Sequence, residues 1–153
     1  MRTFELKRHQ TFDRPLDEVF AFFAAAENLE RITPPWLRFQ IVSPLPIEMK
    51  VGARIEYRLR LHGIPVHWQS EITAWEPPYR FIDEQRRGPY RLWVHEHRFR
   101  AEGNRTHVED TVVYAVPGGA LVRNLFVSRE LDKIFTYRYD VLERNVFPAT
   151  ATV

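Results

Sequence analysis

The chain has 153 residues, a formal net charge of +2 and no cysteine. That length suits one domain, 1–153, with a single core, and the absence of cysteine excludes disulfides, thiolate metal sites and a thiol nucleophile. Charges of both signs are interspersed, which argues against a nucleic-acid partner, and no apolar run reaches the roughly 18 residues of a membrane span.

Thr3 to Phe12 alternates apolar with polar residues and predicts a strand. The same alternation from Met1 onward is unlike a signal peptide, so a cytoplasmic protein is expected. Asp13 is placed to cap a helix, with Pro15 in its first turn and Asp17 and Glu18 at its positive end. Val19, Phe20, Phe22 and Phe23 give that helix a thick apolar face. A second short helix is predicted over Glu27–Thr33, stopped by Pro34-Pro35. Trp36, Leu37, Phe39 and Ile41 then predict a strand. Trp36 itself reads either as a gate or as an anchor packed on the surface.

From Ala53 to Leu61 the alternation has period two, which predicts a strand with one wet face. His62-Gly63 makes a two-residue turn. Further strands are predicted over Ile64–Trp75, Tyr79–Arg87, Tyr90–Ala101 and Arg105–Val116, punctuated by Pro77-Pro78, Gly88-Pro89 and Gly103-Asn104. Pro117-Gly118-Gly119 closes the sheet. Leu121, Leu125, Leu131, Ile134, Phe135, Val141 and Leu142 then recur at helical spacing, predicting one amphipathic helix over Ala120–Asn145. The tail after Pro148 is expected to fray. The expected fold class is α+β: a curved antiparallel sheet of seven strands around a long C-terminal helix, with two short helices after the first strand.

This element order resembles the START and polyketide-cyclase superfamily, SRPBCC, with its helix-grip fold. Three segments are similar to a bacterial cyclase/dehydrase-like branch of unknown function. They are Pro15-Leu-Asp-Glu-Val-Phe-Ala-Phe-Phe, Asn28-Leu-Glu-Arg-Ile-Thr-Pro-Pro-Trp36, and Phe81-Ile-Asp-Glu-Gln-Arg-Arg-Gly-Pro-Tyr-Arg-Leu-Trp-Val-His-Glu-His-Arg-Phe99. The superfamily includes lipid carriers, hormone receptors, cyclases and aromatic-ring oxygenase domains, so the resemblance implies a fold and a hollow for an apolar ligand more than one activity. The oxygenases need iron on an added domain that this length cannot hold, so no cofactor and no metal are expected.

Strand parity assigns faces. Tyr57, Ile64, Val66, Trp68, Ser70, Ile72, Ala74, Phe81, Asp83, Gln85, Trp93, His95, His97, Phe99, Asp110, Val112 and Tyr114 are expected to point inward. A Gly88–Tyr90 loop sets Asp83 opposite His95. A Glu102-Gly103 turn would set Asp110 opposite His95 on its other side. The turn at Pro77-Pro78 would bring Ser70 near Asp83. The expected inward row is therefore Ser70, Asp83, His95 and Asp110, with opposed Cβ atoms about 4.5–5.5 Å apart. Arg138 lies one helical turn beyond Phe135 and, if buried, must pair with Asp83 or Asp110.

The row supports three readings. It can be a buried polar network that only orients the sheet. It can be the polar end of an apolar pocket walled by Tyr57, Trp68, Trp93 and Phe135. It can do chemistry, with His95 as general acid or base beside Asp83 and Asp110, or as part of a His-x-His metal set. A salt bridge from Arg138 would favour the structural network. A Ser70–His95–Asp triad lacks a nucleophile elbow and an oxyanion hole. The expected partner is one hydrophobic or aromatic small molecule (a lipid, isoprenoid or polyketide-like compound), bound by a monomer or homodimer. The alternatives are a cyclase, aromatase or dehydratase, or an interaction module with a solid interior.

Overall fold

A computed structural model describes residues 1–149. Seven strands form one antiparallel sheet in the order β1-β7-β6-β5-β4-β3-β2. They are β1 (Phe4–Phe12), β2 (Gln40–Ile41), β3 (Arg54–Leu61), β4 (Ile64–Glu76), β5 (Arg80–Arg87), β6 (Leu92–Glu102) and β7 (Arg105–Ala115). Helices α1 (Leu16–Ala24) and α2 (Leu29–Ile32) follow β1, and α3 (Gly119–Val122) leads into α4 (Ser128–Val141). The predicted architecture is therefore observed. The frayed tail expected after Pro148 lies, from residue 150, outside the described residues.

Local chemistry explains most boundaries. Alternation in β3 puts Ile55, Tyr57 and Leu59 in the interior and Arg54, Arg58 and Arg60 in water. The His62-Gly63 turn pairs Leu61 with Ile64 as expected. The expected Asp13 cap is not used. Pro15 occupies the cap position with extended backbone, its carbonyl accepts the Val19 N–H at 3.1 Å, and Asp13 instead pairs with Arg105 at 2.9 Å. The strand expected through Trp36 is also shorter than alternation suggested. Pro35–Leu37 forms a 3-10 turn after two prolines, and only Gln40–Ile41 pairs with β3.

Two bulges interrupt the β4–β5 pairing: Gln69 and Ser70 oppose Arg87 and Gln85, leaving Arg86 extra in β5, and Ile72 and Ala74 oppose Asp83 and Ile82, leaving Thr73 extra in β4. A bulge inserts one residue and sharpens the local twist. The second one reverses parity: Trp75, not Ala74, opposes Phe81 and faces inward. Ile64, expected inward, sits at the strand end and is exposed.

The terminal helix is continuous from Gly119 to Val146 but contains π segments at Arg123–Val127 and Leu142–Val146. A π turn takes an extra residue and rotates the faces on either side of it. Leu121 and Leu125, predicted on the buried stripe, are exposed, whereas Leu131 and Phe135 are buried; at about 100° per residue Leu125 already lies about 120° around the helix from Leu131. Two apolar clusters result. One lies under α1 and is built on Phe12, Phe20, Phe81 and Phe99. The other lies under the start of α4 and is built on Trp93, Val112, Tyr114 and Leu131. Trp68 and Ile134 pack against both clusters, and a hollow remains between sheet, α2 and α4.

Candidate functional site

Sheet and helix enclose a cavity of about 560 Å³. Tyr57, Leu59, Trp68 and Trp93 form its sheet wall, and Val127, Leu131, Ile134 and Phe135 form its helical roof. Leu29, Ile32, Leu37 and Phe39, from α2 and the turn after it, close one side. At the mouth His62 Nε2 lies 3.0 Å from Glu130 Oε2, and Phe126 is both exposed and part of the lining. Trp93 meets Trp68 and Tyr90 with ring centroids 5.4 and 4.8 Å apart, so this wall is aromatic over much of its length.

The inner end is polar. Asp83, His95, His97 and Arg138 line it, and Asp110 stands behind His95. His95 opposes Asp83 in the β5–β6 register, as predicted. The next partner differs from prediction. The β6–β7 turn is Gly103-Asn104, so His97 opposes Asp110 and His95 opposes Val112. A slip of two residues preserves the face and changes the neighbour. The side chains then bond diagonally: His95 Nε2–H donates to Asp110 Oδ1 at 2.8 Å and His97 Nε2–H donates to Asp83 Oδ2 at 2.7 Å. His97 Nδ1 lies 3.3 Å from Asp110 Oδ1, and Arg138 Nη2 donates to that same oxygen at 3.3 Å.

Stacking fixes the rings. Phe81 lies on His97 at 4.1 Å and His97 on His95 at 3.7 Å between centroids. The Arg138 guanidinium sits over Phe23 and Phe135 at 5.4 and 5.7 Å. His95, His97 and Arg138 are all buried. Two carboxylates are thus balanced by Arg138 and by one imidazolium, and His97, with a carboxylate near each nitrogen, is the ring placed to carry it.

The proton affinities agree with that geometry. Burial lowers His97, but its bonds to Asp110 and Asp83 outweigh burial and raise it above its ordinary 6.5. Burial, with the neighbouring His97 charge, holds His95 below the same value despite Asp110. Burial raises the Asp110 carboxyl, yet the Arg138 charge and both histidine bonds hold it well below its ordinary 3.8. Asp83 is lowered in the same way, its His97 bond outweighing burial. Burial pushes the Tyr57 and Tyr90 hydroxyls up, so both stay protonated.

These directions fix the sign of a pH dependence. The His97 contribution to stability is complete below 6.5 and is lost as pH rises through its raised folded value. The His95 contribution is complete above 6.5 and is lost as pH falls through its lowered folded value. Thermal stability is expected to peak near pH 6.5. His97→Gln should flatten the alkaline limb and His95→Gln the limb just below the peak, in melts from pH 5 to 9.

Donor atoms of Asp83, His95 and His97 lie within 4.8 Å of one another, a spacing that three ligands of one cation can adopt. A cation there would meet the Arg138 guanidinium beside Asp110 and would have to displace the His97 proton. The charges already compensate each other, so the set suits a neutral network better than a metal.

Several inward residues serve other ends. Phe81 and Phe99 pack against Phe20 with centroids 6.0 and 5.1 Å away, outside the main cavity. Val112 and Tyr114 are buried in the cluster beneath α4. Gln85 does not reach the cavity lining, because its amide is spent on both backbone groups of Tyr90, at 2.7 and 3.1 Å. Ser70 does line the cavity, but it opposes Gln85 in the register and its hydroxyl accepts the Trp68 indole N–H at 3.0 Å. Trp36 is exposed and meets Tyr137 edge-on.

The family model described as polyketide cyclase/dehydrase and lipid transport matches residues 12–133. The chain belongs to this family. Among curated proteins none matches the sequence. Three solved structures illustrate the shared helix-grip fold. Protein CV1439 from Chromobacterium violaceum superposes with a TM-score of 0.73 at 10% identity, over 94% of this chain and 98% of that one. The Zhui aromatase/cyclase from Streptomyces sp. R1128 gives 0.68 at 16%, over 95% and 96%. Ginseng major latex-like protein 151 from Panax ginseng gives 0.66 at 15%, over 95% and 99%. At such identities the likeness concerns the fold alone.

Proposed function

We propose that this family member binds one hydrophobic, largely flat small molecule in its internal cavity. The reading is carried by the 560 Å³ hollow between sheet and helix, apolar and aromatic along its walls and polar only at its inner end and mouth. Pockets for small organic molecules have this volume and this sparse polarity. Membership of a family described by cyclisation, dehydration and lipid transport agrees with an apolar cargo. No described helix is long and apolar enough to cross a membrane. Native mass spectrometry of the chain purified from its own host is expected to show one bound organic molecule, released by solvent extraction. Repeated preparations without any such molecule, and without affinity for apolar probes, would end this reading.

One observation favours a second reading, a cyclase, aromatase or dehydratase. The His95 Nε2–H is held by an ionised Asp110, which leaves Nδ1 as an unprotonated base on a residue lining the cavity. In this reading His95 moves a proton on a polarised carbonyl substrate while Asp83 and Asp110 hold the charges in place. It predicts turnover of such a substrate that disappears in His95→Ala, while ligand binding and fold persist.

A further inference from the structure

Taking the enclosed-ligand reading as its basis, we propose that the inner end of the cavity selects a neutral head bearing a hydroxyl group and rejects a carboxylate of the same shape. The reason is that, among the described residues, no uncommitted positive charge stands where a ligand head would arrive. Arg138 is tied to Asp110 at 3.3 Å. His97 is held between Asp83 at 2.7 Å and Asp110 at 3.3 Å. At the mouth His62 is engaged by Glu130 at 3.0 Å. Every charged group facing the two stacked imidazoles is thereby accounted for: Asp83 from β5, Asp110 from β7 and Arg138 from α4, with the un-ionised Tyr57 hydroxyl from β3. A carboxylate entering here would shed its water and meet two fixed carboxylates whose countercharges are already shared. Desolvating an anion without a new partner is costly, and like charges add to that cost.

A hydroxyl has what it needs. With Nε2–H committed to Asp110, His95 Nδ1 has no hydrogen-bond partner among the described residues and can only accept. The Ser70 hydroxyl is spent within the wall, accepting from Trp68 and bonding the Tyr57 hydroxyl, so it does not compete for the ligand. A ligand O–H can thus donate to His95 Nδ1, a pairing open to an alcohol or phenol. A carboxylate has no hydrogen to give Nδ1 and would set its lone pairs against that nitrogen.

Two matched pairs of probes test the selection: 9-anthracenemethanol with 9-anthracenecarboxylate, and 1-dodecanol with dodecanoate. Each is titrated into the full chain at pH 7.5. The anthracenes are followed by quenching of tryptophan emission, since Trp68 and Trp93 line the wall. The chains are followed by their displacement of the bound anthracene. In each pair that binds, the alcohol is expected to bind at least about tenfold more tightly. Equal affinities, or a tighter carboxylate, would overturn the charge selection and leave the cavity reading standing. Failure of all four probes up to their solubility limits would overturn both.

Asp110→Asn removes one anion and frees Arg138, so the preference for the alcohol should shrink by at least about tenfold. Asp83→Asn makes the same change of charge without touching the Arg138 contact and should act in the same direction. An unchanged preference in whichever of the two variants is folded by circular dichroism would overturn the assignment. If neither folds, the wild-type pairs decide it alone.

Discussion

Asp110→Asn is expected to cost about 3–5 kcal/mol of folding stability, the range found when one partner of a buried charge network is removed. Asp110 is where the cluster converges: one oxygen takes His95 at 2.8 Å, His97 at 3.3 Å and Arg138 at 3.3 Å. Asparagine keeps the shape but loses the charge and can accept at only one side-chain oxygen. Arg138, 9% exposed on the inner side of α4, then has no counterion within reach except through the His97–Asp83 pair. Urea unfolding should show a midpoint lower by about 2 M at an unchanged slope. The double variant Asp110→Asn/Arg138→Met should recover part of the loss, because it also removes the orphaned guanidinium. A coupling energy above about 1 kcal/mol in that cycle is the expected sign of direct pairing. A loss below about 1 kcal/mol for the single variant would show that water reaches Arg138 and that the cluster is not a sealed network.

The same cluster shows what strand parity can and cannot reveal. Period-two alternation in β3 and β6 suffices to turn Tyr57, Trp93, His95, His97 and Phe99 inward, because each inward residue repeats at every second position. It also survives the misplaced β6–β7 turn, since a slip of two residues keeps every side chain on its face. Partner identity is more fragile. Asp110 moved from opposite His95 to opposite His97, and only the diagonal reach of the imidazole restored the His95–Asp110 bond. The β4 bulge at Thr73 leaves no mark in the alternation, which turns Ala74 inward, whereas Trp75 is the residue that packs against Phe20 and Phe81.

The cavity itself was the least legible part. Its side wall of Leu29, Ile32 and Phe39 comes from short turns that carry no periodicity. The mouth pair His62–Glu130 joins a hairpin turn to a helix 68 positions away, beyond any local pattern. Leu121 and Leu125 are exposed because they lie about 80° and 120° around the helix from Leu131, and apolar character alone does not reveal that offset. Arg138 was readable, because a charged residue one turn after Phe135 must either reach solvent or find an acid. It finds Asp110, the contact that favours a structural network. That network can be structural and still border the ligand, since His95 and His97 lie on the cavity wall as well as between the carboxylates.

Ile134→Trp separates the cavity from the cluster and is expected to weaken binding of the enclosed molecule at least about a hundredfold, or about 2.7 kcal/mol. Ile134 stands in α4 one residue before Phe135, is half-buried, and lines the roof of the hollow between the aromatic wall and the polar end. Its side chain makes no hydrogen bond, and neither it nor its replacement touches the charge balance. Enlarging a residue in a well-packed core costs about 1–3 kcal/mol because neighbours must move. Here the added rings have about 560 Å³ of space to enter, so stability should change by less than about 1 kcal/mol in either direction. Ligand occupancy by native mass spectrometry and urea unfolding on the same preparation read the two effects side by side. Loss of the ligand with fold intact, set against loss of stability in Asp110→Asn, assigns binding to the hollow and rigidity to the charges. Undiminished binding in the tryptophan variant would place the molecule outside this cavity, whatever the aromatic walls suggest.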